Sequence, residues 1–225
     1  MNHTHPPSVY VSPPYGMYTR VSEEELDVFS LPARILVAGA SNSGKSFFVS
    51  RLVNKYQGKF KRIVIIGANL ENVDGLNIIR DDQYNPLLET GSNEQSLVIF
   101  DDVIFNPRVM KIAAESFTRG RHMNVSLIFC TQNLFLADKS YRTITLNLTA
   151  AFLLRIRDSR QVTLYGNTFL PKEKINCFLE LYKQVVFKER KYGYLMIDFT
   201  KFSENPLALR SYIFEDEGYE RTYQL

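Results

Sequence analysis

Eight residues, Gly39, Ala40, Ser41, Asn42, Ser43, Gly44, Lys45 and Ser46, lie between the apolar run "ARILVA" and the segment "FFVSRLV". Their spacing, Gly-x-x-x-x-Gly-Lys-Ser, suits one kind of chemistry, the holding of phosphate groups. Gly39 and Gly44 allow backbone angles that turn successive N–H groups inward. A helix starting here would add unpaired N–H donors and a partial positive charge. Lys45 would reach the β- and γ-phosphates of a nucleotide, and the Ser46 hydroxyl would ligate Mg²⁺. Gly39 through Phe47 are therefore the expected nucleotide contacts, with ATP and Mg²⁺ the expected cofactors. The plainer reading of the same residues is a flexible turn between a strand and a helix.

Three further groups of polar residues follow apolar runs. Asp101 and Asp102 close "SLVIFDD". Asp101 would hold Mg²⁺ through its water shell or through Ser46, and Asp102 could take a proton from an attacking water. Two carboxylates at a strand end could equally cap a helix or begin a turn. Thr131, Gln132 and Asn133 close "NVSLIFCTQN", where an amide such as Gln132 could touch the γ-phosphate and the water together. "TRGRH" carries Arg119 and Arg121 just before that run. Either arginine, supplied by a neighbouring subunit, would act as a finger on the transition state, with Arg121 ahead of Arg119. The plainer reading for both is a solvated charge.

These residues need a scaffold that gathers strand ends. The patterning predicts strands over 33–38, 61–68, 96–103, 124–133 and 149–157, and helices over 44–56, 107–119, 158–167 and 171–185. Residues 69–94 are polar and turn-rich, with room for a helix and a surface loop. Segments 192–199 and 207–214 read as a terminal hairpin. Strands alternating with helices give an α/β sheet covered on both faces, with ligands at the carboxyl ends of the strands. The expected fold is a three-layer P-loop NTPase sheet, mostly parallel, with a C-terminal antiparallel hairpin extension. Residues 1–28, rich in proline, read as an extended or poorly ordered arm, and 29–225 as the P-loop ATPase domain.

Composition narrows the function classes. The 225 residues are 45% hydrophobic and 23% charged, which suits one folded domain, and the net charge of +3 permits a nucleic-acid partner without demanding one. Cys130 and Cys177 lack a CxxC or Cys/His partner, so neither a disulfide framework nor a zinc site is expected. No apolar run approaches the ~18 residues that span a bilayer, so no membrane partner is expected. A GTPase would carry an Asn-Lys-x-Asp guanine reader. Here Asn54–Lys55 is followed by Tyr56 and Gln57, inside the first helix. A small-metabolite kinase fits the length, but no arginine-rich lid follows the fourth strand.

The order "GASNSGKS", "LVIFDD", "TRGRHMNVSLIFCTQN", "YGYLMIDF" resembles the genome-packaging ATPases of eukaryotic DNA viruses. These include the poxvirus type and the versions in Polinton (Maverick) elements and adintovirus-like genomes, within the FtsK–HerA group of P-loop ATPases. The resemblance spans residues 30–214, and its most specific part is the Arg-x-Arg-His segment running into Thr-Gln-Asn. It implies a homo-oligomeric ring that drives double-stranded DNA, without reading its sequence, into a capsid through capsid or portal proteins. By the same analogy Lys45 and Ser46 bind nucleotide and metal, Asp101 holds Mg²⁺, Asp102 activates water and Gln132 senses the γ-phosphate. An arginine of 119–121 would act across the ring. The implied setting is a viral factory in the host cytoplasm, or the nucleus, with virion association. Candidates for gripping DNA are Lys139 and Arg142, expected in a loop after the fourth strand, and the cluster Lys183, Lys188, Arg190 and Lys191. Two alternatives stay open: a P-loop nucleoside or small-metabolite kinase, and a non-catalytic nucleotide-gated assembly protein.

Overall fold

The apolar runs of the sequence form buried strands. In a computed structural model, which describes residues 18–21, 28–29, 32–67, 78–80, 84–88, 95–200, 208–217 and 221–224, ten strands form one sheet. They are β1 (Tyr18–Val21), β2 (Arg34–Ala38), β3 (Arg62–Gly67), β4 (Ile78–Arg80), β5 (Ser96–Asp101), β6 (Val125–Thr131), β7 (Ala150–Leu153), β8 (Leu195–Asp198), β9 (Ala208–Ser211) and β10 (Arg221–Gln224). Their order across the sheet is β1-β10-β9-β8-β7-β2-β6-β5-β3-β4. From β7 to β4 all pairings are parallel, and from β7 to β1 all are antiparallel. The mostly parallel sheet with an antiparallel C-terminal extension is thus the observed architecture.

Side chains alternate between the two faces of the sheet. Ile35, Val37, Ile63, Ile65, Leu97, Ile99, Ile128 and Phe152 pack with helix α1 (Lys45–Tyr56) through Phe48, Val49, Leu52 and Val53. Leu36, Val64, Val98, Phe100, Leu127, Phe129 and Leu153 face the other layer. That layer holds α2 (Pro107–Arg119), α3 (Lys139–Leu146), α4 (Ser159–Gly166) and α5 (Ile175–Lys183). Helix starts follow local chemistry. The Asn106 side chain accepts from the Val109 N–H at 3.2 Å ahead of Pro107, and Asp138 accepts from the Tyr141 N–H at 2.8 Å.

One placement differs from the sequence-based expectation. Lys139 and Arg142 lie on helix α3, not in a loop. Tyr18–Val21, within the expected arm, pairs antiparallel with β10 at the sheet edge. The helix expected within 69–94 falls largely outside the described residues, and β4 is the strand found there. Among the described residues, no helix is long and apolar enough to cross a membrane.

Candidate functional site

The parallel register brings the C-terminal ends of the central strands to one level. Ala38 pairs with Thr131 and Leu153, and Asp101 pairs with Gly67 and Cys130. The loop Gly39–Gly44 leaves β2 at this level and turns into α1. Neighbouring strands hold it: the Gly39 N–H donates to the Thr131 carbonyl at 3.0 Å, and the Ala40 N–H to the Arg155 carbonyl at 2.8 Å. Gly44 caps α1 with φ +93°, and a Cβ there would lie 2.7 Å from the Tyr192 ring. No side chain caps α1, and its first turn carries no acidic residue. Its first N–H groups are therefore left for an anion.

Lys45 folds back over this loop. Its ammonium donates to the carbonyls of Gly39 at 2.7 Å and Ala40 at 3.1 Å. Burial lowers its pKa below the usual lysine value of 10.5, while the nearby Cys130, Asp101 and Asp102 groups oppose that shift. Ser41, Asn42, Ser46 and Phe47 are exposed, whereas Ser43 is buried. The expected contact run Gly39–Phe47 is thus a single turn wrapped around the start of α1.

Asp101 shares the side-chain parity of Leu97 and Ile99, so it falls on the α1 face of the sheet. It is 4% exposed. Gly67 presses against it: a Cβ on Gly67, where φ is +116°, would sit 1.9 Å from the Asp101 carbonyl oxygen. Only glycine fits there. Cys130, on the adjacent strand, faces Asp101. Burial first, and then the Asp101 charge, pushes its thiol well above the usual range.

Gln132 joins the two halves of the site. Its Oε1 accepts from the Ser41 hydroxyl at 3.1 Å, and its Nε2 donates to Asp102 Oδ2 at 3.4 Å. Asp102 takes a left-handed backbone, φ 53°, which turns the chain out of β5 at the carboxylate. β6 lies between β2 and β5 in the sheet, so a side chain at its end faces the phosphate loop on one side and the carboxylates on the other. Lys45, Asp101, Asp102 and Gln132 are therefore brought together at one end of the sheet.

Arg119 is not. Arg119 is exposed in the last turn of α2, and Gly120 packs on Leu127 near the start of β6. The whole length of β6, on the order of 20 Å, separates that end from the loop. The Arg121 side chain lies outside the described residues. Lys183 pairs with Glu180 at 2.8 Å, whereas Lys188, Arg190 and Lys191 border a pocket beside the loop, together with Asn42, Arg155 and Tyr192.

Several contributing residues escape sequence reasoning. Gln161 of α4 accepts from the Leu134 N–H at 2.8 Å and donates to Asn133 Oδ1 at 3.3 Å, which ties the segment after Gln132 to α4. Tyr141 donates to the Asn133 carbonyl at 3.1 Å. Tyr182 accepts from the Ile156 N–H at 2.9 Å and donates to the Leu154 carbonyl at 2.7 Å, and burial pushes its phenol up to about 12. These bonds fix the turn after β7 that holds Ala40. Motif spacing gives no signal for partners this far apart in the chain.

The oxygen donors fit Mg²⁺. Ser46 and Asp101 offer hard oxygen ligands. Among the described residues no cluster of three or more His, Cys, Asp or Glu side chains forms a closed metal cage. Mg²⁺ is typically held this way, by one or two carboxylates with phosphate and water completing the shell.

Three-dimensional comparison defines the fold class. The genome-packaging NTPase B204 from Sulfolobus turreted icosahedral virus 2, in complex with AMPPCP, matches with a TM-score of 0.57 at 13% identity, covering 79% of this chain and 96% of B204. B204 in complex with ATPγS matches with a TM-score of 0.55 over the same shares. The pCW3 conjugation coupling protein TcpA, with ATPγS, matches with a TM-score of 0.50 at 14% identity, covering 78% of this chain and 64% of TcpA. No family model matches the chain, and no curated protein matches it in sequence. The fold is that of a P-loop NTPase, and the structural neighbours include a viral genome-packaging NTPase, the kind of protein that the motif order resembles.

Proposed function

We propose that this chain is an ATP-hydrolysing motor that translocates double-stranded DNA into a viral capsid. The observation that carries it is the Gln132 bridge between the phosphate loop and Asp102, on a fold shared with a packaging NTPase. A side chain bonded to both sides moves when the γ-phosphate arrives or leaves. Such an amide converts nucleotide state into strand and helix displacement, here through Asn133, Leu134 and Gln161.

In this mechanism the α1 N-terminus and Lys45 bind and orient the triphosphate. Ser46 and Asp101 would hold Mg²⁺, which when bound neutralises phosphate charge. Asp102 accepts the proton of the attacking water, oriented by Gln132. Asp102 is shorter than the glutamate more usual at this position, and its left-handed backbone is what presents the carboxylate. Arg121 or Arg119 serves a neighbouring subunit in a ring, and the exposed place of Arg119, a strand length from its own loop, supports that reading. The remaining basic surface, including Lys139 and Arg142 on α3, grips the DNA backbone without reading sequence. Capsid or portal proteins are the docking partners, and a cytoplasmic viral factory or the nucleus, and the virion itself, are the proposed settings. Membership of the Polinton-type branch of the FtsK–HerA group rests on the motif order.

Two measurements test this. DNA-stimulated phosphate release should fall steeply between low and physiological salt, as expected for contacts to phosphates. Stimulation that ignores salt would count against a backbone grip. Product analysis separates a kinase: transfer of phosphate to a small acceptor, with little free phosphate, would replace the motor by a phosphotransferase.

A further inference from the structure

Beside the phosphate loop lies a polar pocket of about 430 Å³, lined by Asn42, Arg155, Phe187, Arg190, Lys191 and Tyr192 among others. The volume falls within the roughly 300–1,000 Å³ of small-molecule sites. We infer that this pocket receives the nucleoside end of the nucleotide, with the base on the Arg155–Phe187 platform and the sugar toward Asn42 and Tyr192. The inference rests on the ATPase proposal above.

Four observations carry it. The pocket is continuous with the phosphate cradle, because Asn42 belongs to the loop and the Tyr192 ring is what a side chain on Gly44 would meet. The turn after β7 serves both: the Arg155 carbonyl holds the Ala40 N–H, while the Arg155 guanidinium lies over the Phe187 ring at 4.9 Å. A guanidinium plane backed by an aromatic ring is a stacking surface for a base. Phe47 and Tyr192, with ring centroids 5.5 Å apart, close the side toward α1.

The charges are arranged for a ligand as well. Among the described residues, neither Arg155 nor Lys191 has a carboxylate partner in an ion pair, whereas Arg190 is held by Glu217 at 3.6 Å. Glu217, buried, also pairs with Arg51 at 2.7 Å and accepts from the Tyr194 hydroxyl at 2.6 Å. That network anchors both flanks of Tyr192 to α1. The far wall is a widened helical turn, Gln184–Lys188, in which the Glu189 N–H reaches back to the Gln184 carbonyl at 3.2 Å. Such turns often mark functional sites. Lys188, Arg190 and Lys191, which the sequence offers as a DNA grip, are thereby placed at the nucleotide.

The test is competition binding with the full chain, using ATP and inorganic tripolyphosphate as probes. Arg155 is exposed, so Arg155→Ala should fold, and thermal melting checks that it does. Arg155→Ala and Phe187→Ala should each weaken ATP about tenfold, the scale of one stacking contact, and leave tripolyphosphate unchanged. Lys45→Ala should weaken both. Equal weakening of the two probes by the pocket variants, or no weakening of either, would overturn the inference. So would a loss confined to DNA stimulation with ATP affinity intact, which would return the cluster to a backbone grip. Wild-type protein that binds neither probe would overturn the ATPase proposal along with it.

Discussion

The phosphate cradle and the pocket beside it are built in different ways. The cradle is one contiguous loop whose working parts are backbone N–H groups, held in place by carbonyls of Thr131 and Arg155 and by a lysine that bonds its own loop. The pocket is assembled from side chains of separate segments, at Asn42, Arg155 and 187–192. Backbone donors fixed by a sheet cannot adjust without moving strands, so the cradle suits the invariant part of a nucleotide. Exposed side chains can change one at a time, so the pocket is where preference for a base would be set.

Damage to the two regions should differ in size and kind. Asp101→Asn leaves the loop intact but removes the buried charge beneath it. Phosphate release should fall by about 10²–10³-fold, the usual cost of removing one group that stabilises developing charge. A loss below tenfold would show that Asp101 is only a strand-end cap. Next comes Gln132→Ala, which cuts the bridge to Asp102. Turnover should fall about 10–100-fold with the affinity for ATPγS nearly unchanged, since an orienting group acts on the reaction more than on binding. Equal losses in affinity and turnover would make Gln132 part of the cradle itself.

Gly67→Ala probes the floor of the site without touching a reactive group. Its Cβ would meet the Asp101 carbonyl at 1.9 Å in a left-handed backbone. A destabilisation of about 1–3 kcal/mol by denaturant titration is expected from overpacking and strain. An unchanged midpoint would mean that β3 can slide away from β5.

The pH dependence sharpens the cradle side. Burial lowers the Lys45 pKa below 10.5, so the folded, ligand-free chain loses that proton earlier than the unfolded chain. The penalty for burying the ammonium is present below the lowered pKa and relieved as pH rises toward 10.5, so this group's contribution to stability increases through that window. Phosphate binding needs the charged form, so ATP affinity should fall over the same alkaline range. An affinity that stays flat there, or matches that of Lys45→Ala at neutral pH, would remove the lysine from phosphate binding. The smallest effect belongs to Lys183→Ala, which removes an exposed pair with Glu180 and should leave the melting temperature unchanged.

How much was legible in the sequence follows the same division. The strands before and after the loop, and the carboxylates of β5, announce themselves because buried parallel strands read as unbroken apolar runs. The helix α3 does not, since only Tyr141 and Ile144 of its eight residues are buried and its one start signal is Asp138. The edge strand β1 and its neighbour β10 are four residues each, too short for a periodic pattern. Of the site, the loop, Asp101, Asp102 and Gln132 could be named because each ends an apolar run at a fixed place. Arg155, Gln161, Tyr182 and Tyr192 could not, because contacts such as Gln161 to Leu134 and Tyr182 to Leu154 exist only once β6, β7 and their helices have packed. Topology adds a position: Arg119 ends α2 near the start of β6, the opposite end of that strand from the phosphate loop.

The most direct test of the central claim is phosphate release from ATP by the wild type and by Lys45→Ala, each with and without long double-stranded DNA. Release that DNA stimulates in the wild type and that Lys45→Ala abolishes is the expected result. Release that Lys45→Ala leaves unchanged, or a wild type that frees no phosphate in either condition, would contradict it.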